Sequence, residues 1–368
     1  MRAGERDWVL SELALLLLLL IGGSFVVWHN SHDPGPGDLP SHRVTATAKG
    51  LQLDGKAWWP TGFNAYQLGT DWSLNVGCGA QVDLDQYFDA LPPRSLTRFS
   101  LFAPFTQRKD NGKADFSRID DVFAAATRHD QLVLPVLAAG DGSCDGEKFR
   151  DHDFYTGGWK TAKESVHGTY ADWVRTAVDR WKDEPMLVGW TAMGEAEPGV
   201  CGTGDCKDYR NRTCPADATA VLRTFFDETG ALIRSIDSTH LLFAGLTGGG
   251  QCGTAGDQYA TVGASDGIDV LEYHDYTLTD PVPDTESIPA RIEQATKLGK
   301  PLFVAELGYE GGSCRPLDER ASALRARIEE LRGHGVAGVL AWSYVPDPRP
   351  SECTLDIGPG DPLWPSLV

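Results

Sequence analysis

Eight short apolar runs recur along the chain, separated by stretches whose apolar residues return every three or four positions. The runs are TGFNA (61–65), SLTRFSLF (95–102), LVLPVLAA (132–139), MLVGWTAM (186–193), HLLFAGL (240–246), IDVLEYHDY (268–276), PLFVAEL (301–307) and VAGVLAWSY (336–344). Near-continuous apolar character over so few residues is the mark of parallel strands buried on both faces. Between several of them lie SRIDDVFAAATRHD (117–130), TYADWVRTAVDRW (169–181), ATAVLRTFFDETGALIRSID (218–237), SIPARIEQATKLG (287–299) and DERASALRARIEELRGHG (318–335). Their spacing predicts amphipathic helices. Eight strands with interleaved helices predict an α/β fold, a (β/α)8 TIM barrel in one domain. Ahead of the first run, Val44 to Pro60 alternates apolar and polar residues around Asp54-Gly55, which predicts an N-terminal β-hairpin. No helix is expected after the eighth strand. The tail SECTLDIGPGDPLWPSLV (351–368) is rich in Pro and Gly and reads as a loop packed on the barrel. No internal repeat exceeds the βα unit itself.

The first forty residues follow other rules. Trp8 to Trp28 is an apolar stretch of membrane-spanning length with Glu12 as its only charge. An uncleaved signal anchor is favoured over a cleaved signal peptide, because SFVVWHN offers a poor small-x-small cleavage site. Arg2 and Arg6 argue for a cytoplasmic tail at 1–7, diluted by Glu5 and Asp7. Residues 29–42 contain HDPGPGDLP and read as a Pro/Gly linker. The expected organisation is therefore tail 1–7, transmembrane helix 8–28, linker 29–42 and barrel 43–368. The chain is expected at the cell membrane, single-pass with the barrel extracellular, or secreted if the apolar segment is cleaved.

Composition narrows the partners. With charged residues at 23% and apolar ones at 41%, 368 residues have ample material for a large core. A net charge of −19 and the absence of any Lys/Arg run exclude nucleic acid as a partner. A neutral, hydroxyl-rich ligand is not repelled, and the 11 Trp and 10 Tyr supply faces on which sugar rings stack. Eight cysteines, at 78, 144, 201, 206, 214, 252, 314 and 353, lie in loops and imply disulfides of undetermined connectivity in an oxidising compartment. Cys201, Cys206 and Cys214 have neither CxxC spacing nor a histidine among them, which argues against zinc. No cofactor and no metal are expected.

The chemistry sits where apolar runs stop. The run at 186 ends in Glu195 and Glu197, and the run at 301 delivers Glu306. Two strands that each present a glutamate at the C-terminal mouth of a barrel meet the need of two-carboxylate glycoside hydrolysis, one proton donor and one nucleophile or base. Other polar residues share that end: Asn64, Arg98, His274, Tyr276 and Trp342.

Taken in order, these motifs resemble clan A glycoside hydrolases, most similar to family 5, the cellulase and β-mannanase group. The resemblance runs from Val44 to Pro346. It rests on the entry hairpin LQLDGKAWWPTGFNAYQL, LTRFSLF, GWTAMGEAEP, HDY at 274–276, VAELGY and LAWSY. It implies a retaining hydrolase of a β-linked polysaccharide or oligosaccharide, glucan or mannan in type. Glu306 is then the nucleophile and Glu195 the acid/base, with Glu197-Pro198 an alternative match that the spacing from Trp190 disfavours. Arg98, His274 and Tyr276 would support the pair. Asn64 and Trp342 would bind substrate, together with Trp72 and Trp159 in loops at the same mouth. The resemblance departs at Gly194, where the family has an asparagine that hydrogen-bonds the sugar 2-hydroxyl. Two alternatives follow: a cell-surface transglycosylase using the same residues, or a catalytically impaired carbohydrate-binding barrel. The identity of the polysaccharide and endo or exo action are not encoded in these motifs.

Overall fold

The computed structural model describes residues 41–202 and 204–367. All eight apolar runs form strands of one parallel sheet: β1 (Thr61–Asn64), β2 (Leu96–Ser100), β3 (Leu132–Val136), β4 (Gly189–Thr191), β5 (Leu241–Phe243), β6 (Leu271–Asp275), β7 (Leu302–Leu307) and β8 (Val339–Trp342). They lie in the order β5-β4-β3-β2-β1-β8-β7-β6. A bridge from Phe243 to Val270 joins the two ends, so the sheet closes on itself. Closure removes both sheet edges and gives every strand a buried inner and outer face, which is why the runs read as almost uninterrupted apolar sequence.

Among the described residues, and besides a single turn at Trp159–Thr161, helices follow the strands as α1 (Leu84–Asp89), α2 (Ser117–Arg128), α3 (Tyr170–Trp181), α4 (Ala218–Arg234), α5 (Gln258–Gly263), α6 (Ile288–Leu298), α7 (Leu317–His334) and α8 (Trp364–Leu367). The five long ones match the periodic stretches. α3 shows how such a helix is specified. Thr169 caps it, its side chain accepting from Asp172 N while Asp172 accepts in return from the Thr169 backbone. Tyr170, Trp173, Val174, Ala177, Val178 and Trp181 then fall on one buried face. Trp173 also donates its indole N–H to Leu137 O at 2.9 Å. Truncating Trp173 to Ala would cost on the order of 3–5 kcal/mol.

Three expectations need correction. The tail ends in α8 rather than only in loop: Trp364 stacks on Phe63 with ring centroids 4.7 Å apart, and that burial holds a turn the local Pro and Gly content argues against. α1 and α5 were not predicted, because six residues are too few for a periodic pattern. The N-terminal element is a three-stranded antiparallel ribbon (Val44–Thr47, Gly50–Leu53, Lys56–Trp58) rather than one hairpin. Asp54 and Gly55 form its second turn, both with positive φ. His42 reaches Asp130 Oδ1 at 2.7 Å and donates its backbone N–H to Pro185 O. Those partners lie just before β3 and β4, so the ribbon sits at the barrel's N-terminal end, away from the mouth. The predicted span 8–28 lies outside the described residues. Among those described, no helix is long and apolar enough to cross a membrane.

Four disulfides pair the cysteines: Cys78–Cys144, Cys201–Cys206, Cys214–Cys252 and Cys314–Cys353. All eight residues stand on segments that leave the C-terminal ends of the strands.

Candidate active site

At the C-terminal mouth, five strands converge on one charged cluster. β2 supplies Arg98, which is buried. Its Nη1 donates to Glu306 Oε1 at 2.7 Å and to Asn64 Oδ1 at 2.9 Å. Asn64, at the end of β1, spends its amide on Ala305 O (2.7 Å) and Ala341 O. It is 1% exposed. The expectation that Asn64 binds substrate is therefore corrected: every polar atom it has is engaged in fixing Arg98 against β7 and β8.

β7 presents Glu306, whose other oxygen accepts from Tyr276 OH at 2.7 Å. Burial alone would raise its pKa. His274, Arg98 and the Tyr276 hydroxyl outweigh that and hold it below the ordinary glutamate value. Tyr276 is pushed the other way, well above its ordinary value, by burial and then by the carboxylates of Glu306 and Glu195. It remains a donor throughout the neutral range.

Glu195 comes from the segment after β4, and its backbone is in the left-handed region at φ 54°. A non-glycine residue there costs roughly 1–2 kcal/mol, and neighbouring strands hold it in place. Gly194 N donates to Ala138 O at 2.8 Å, Gly140 N donates to Gly194 O at 2.7 Å, and Glu195 N donates to Gly245 O at 2.7 Å. Gly245 must be glycine for this contact, since its φ is +64° and a Cβ would stand 1.9 Å from Met193 O. The result is a carboxyl turned into the mouth, 40% exposed, with Oε1 2.7 Å from His274 Nδ1. A carboxyl oxygen of Glu195, one of Glu306 and a ring nitrogen of His274 all lie within 4.8 Å of one another. Glu197, the alternative match, faces elsewhere. It is buried, paired with Arg212 at 2.5 Å, and accepts from Cys252 N.

His274 lies on β6, between the two carboxyls. Its Nδ1 is also 3.4 Å from Glu306 Oε2. Burial would lower its pKa, but Glu306, Glu195 and Glu272 together raise it to about 9. At neutral pH it is an imidazolium. Glu195, His274 and Glu306 are close enough to be considered for a metal ion, yet the donor set does not fit one. Both Glu306 oxygens already accept, one from Arg98 and one from Tyr276, and the Arg98 guanidinium already pairs with that carboxylate.

Trp342 ends β8 with a cis peptide to Ser343, and it stacks on Tyr66 at 5.6 Å and 14°. Trp72 is 46% exposed on the loop after β1, free to meet a ligand. Trp159 is not. It is 3% exposed, packed edge-on against Tyr170 and Phe225 with centroids 6.4 and 5.7 Å away. Its predicted binding role is corrected to a packing one: the loop that carries it folds inward and buries the ring between α3 and α4. Two residues of the cluster escaped the sequence reading. Tyr66 lies behind Trp342 with no motif to mark it. Glu272 is the other, and its signal is present: residues 272, 274 and 276 alternate with 271, 273 and 275, so a strand there places Glu272, His274 and Tyr276 on one face.

Comparison with known proteins gives the same direction. No family model matches the chain. Over 341 residues it is 26% identical to a probable mannan endo-1,4-beta-mannosidase F of Aspergillus flavus, covering 81% of this chain and 66% of that protein. The chain thus spans about two thirds of that relative's length, 66%. Among solved structures, the endo-1,4-beta-mannanase of Rhizomucor miehei superposes with a TM-score of 0.65 at 19% identity, over 88% of this chain and 97% of that one. A glycoside hydrolase family 5 mannosidase from the same organism gives 0.59 at 15% identity, over 89% and 96%. The chain is most similar to clan A glycoside hydrolases of family 5. Against the family 5 pattern the departure at Gly194 is a missing side chain on intact backbone. A Cβ at this position would have Val136 Cγ1 at 3.3 Å and Arg98 Nη2 at 3.7 Å.

Proposed function

We propose that the chain is a retaining β-glycoside hydrolase that cleaves internal bonds of a β-1,4-mannan, with the barrel held at the outer membrane face by residues 8–28. The observation that carries the reading is the pair of carboxyls, with an oxygen of Glu195 and one of Glu306 within 4.8 Å. That proximity supports double displacement, for which the groups stand ~5–5.5 Å apart. Glu306, kept ionised by His274 and Arg98, attacks the anomeric carbon. Glu195, more exposed, hands a proton to the leaving oxygen and then takes one from the water that hydrolyses the glycosyl-enzyme. Trp342 lies beneath the sugar at the point of cleavage. The relatives' names support mannan as the backbone.

The bare position 194 favours a second reading, a barrel that binds glycan with reduced or no turnover, or that transfers to a sugar acceptor. Release of reducing ends from β-mannan and β-glucan by the full chain and by Glu306→Gln separates these. Hydrolysis of mannan that is lost in the folded variant is expected. Turnover retained at the wild-type rate by the variant would refute the nucleophile. Binding without turnover would refute hydrolysis, and products longer than the substrate would favour transfer.

A further inference from the structure

We propose that Glu272 is a positioning residue, a third carboxyl buried beneath the pair that holds Arg98 and His274 against Glu306 and Glu195. This rests on the roles proposed for Glu195 and Glu306. Glu272 is 0% exposed, in the wall of a barrel whose neighbouring positions are apolar. Its Oε1 accepts from Thr191 Oγ1 at 3.2 Å. Its Oε2 lies 3.8 Å from Arg98 Nη2 and 3.8 Å from His274 Nε2. Both Glu272 Oε2 and His274 Nε2 are shut off from solvent without a hydrogen-bond partner. A carboxyl in such a place is costly unless it is compensated by charge, and the two cations beside it are the ones that touch the reacting carboxyls.

A charge count gives the arrangement its meaning. The groups facing one another are the guanidinium of Arg98, the imidazolium of His274, the neutral phenol of Tyr276, and the carboxyls of Glu195, Glu306 and Glu272. Two cations against three carboxyls are balanced when one carboxyl carries a proton. Retaining hydrolysis starts from that state, with one carboxyl protonated as acid and one ionised as nucleophile. Without the third carboxyl, His274 would lose one of the three negative charges that keep it cationic, and its pairing with Glu195 and Glu306 would weaken with it. Glu272 thus acts through Arg98 and His274, on the side away from substrate.

The test is Glu272→Gln in the full chain, which keeps shape and removes charge. Histidine-labelled protein is titrated by NMR, with the His274 signal assigned from His274→Gln. The His274 midpoint, about 9 in the intact chain, is expected to move down toward the ordinary value near 6.5. The kcat at neutral pH is expected to fall about ten- to a hundredfold with KM within about twofold, as for loss of an orienting contact. Should Glu272→Gln fail to fold, Glu272→Asp retains the charge at a greater distance, and an intermediate midpoint is expected. An unmoved midpoint in a folded variant, or a pH–rate profile that superposes on the wild type, overturns the proposal. The two readings fail separately: a wild-type chain inactive on every glycan sinks the hydrolase, whereas the NMR midpoint judges Glu272 without any turnover.

Discussion

Raising the pH from 6 to 9.5 should weaken the fold, and His274 sets the size of the effect. In the unfolded chain this histidine titrates near 6.5. In the barrel, burial opposes protonation, but Glu306, Glu195 and Glu272 outweigh it and bring the value to about 9. Between those two pH values the folded state holds a proton that the unfolded state has released. The stabilisation is therefore complete below about pH 6.5 and is lost as pH rises through 9. A gap of about 2.5 pH units corresponds to about 3 kcal/mol, lost at up to about 1.4 kcal/mol per pH unit. His274 is fully enclosed, so solvent screening takes little from that figure. His42, raised through Asp130 and Asp54 against its own desolvation, adds a smaller loss of the same sign. His167, whose pKa burial lowers, acts only below its ordinary value and leaves this window untouched. For about 330 residues the unfolding entropy near the midpoint is about 0.7 kcal/mol per degree, so a loss of 3 kcal/mol is a fall of about 4–5 °C. Urea unfolding of the wild-type chain and of His274→Gln, followed by tryptophan fluorescence across this range, measures it. A wild-type curve flat from pH 6.5 to 9, or a variant with the same slope, would refute the assignment of a buried imidazolium.

Gly194→Asn should place an amide beside Glu195, the proposed acid/base. The nearest obstacle to its Cβ is the Val136 side chain at 3.3 Å, so the chain is expected to fold normally and kcat/KM on mannan to rise about tenfold or more through a contact to the sugar 2-hydroxyl. An unchanged value would show that the missing side chain does not limit turnover. Replacing Cys214 and Cys252 together by Ala opens a loop of sequence separation 38 and should cost about 4 kcal/mol by the chain-entropy relation, read as a lower urea midpoint. A midpoint within experimental error of the wild type would contradict it.

Much of this was legible in the sequence because a closed barrel leaves a simple signature. Strands covered on both faces read as apolar runs, and a charged residue at the end of such a run, as at Glu306 or Arg98, stands out. Direction is what the runs do not convey. Asn64 ends β1 at the mouth, yet its amide turns sideways onto Ala305 and Ala341 rather than toward a ligand. Trp159 belongs to a segment at the same end, yet the path of that segment buries it, and no local pattern encodes that path. Glu195 and Glu197 differ by two residues and would share a face of a regular strand. The left-handed backbone at Glu195 breaks that regularity, and it depends on contacts with Gly245, some fifty residues away. Glu272 was hidden for a different reason: it sits inside an apolar run, where a single charge looks like noise unless the alternation with His274 and Tyr276 is followed.

The disulfides divide the molecule into two materials. Cys78–Cys144 joins the segments after β1 and β3, Cys214–Cys252 those after β4 and β5, and Cys314–Cys353 those after β7 and β8. None passes through the sheet or the helical shell. The sheet and its helices are thus held by packing and hydrogen bonds, while the segments around the mouth, including the one that carries Glu195, are also joined by sulfur. A mild reductant acts on the second without touching the first. Such treatment would loosen the segments around the mouth, the one that carries Glu195 included, while the sheet and its helices keep all of their own contacts.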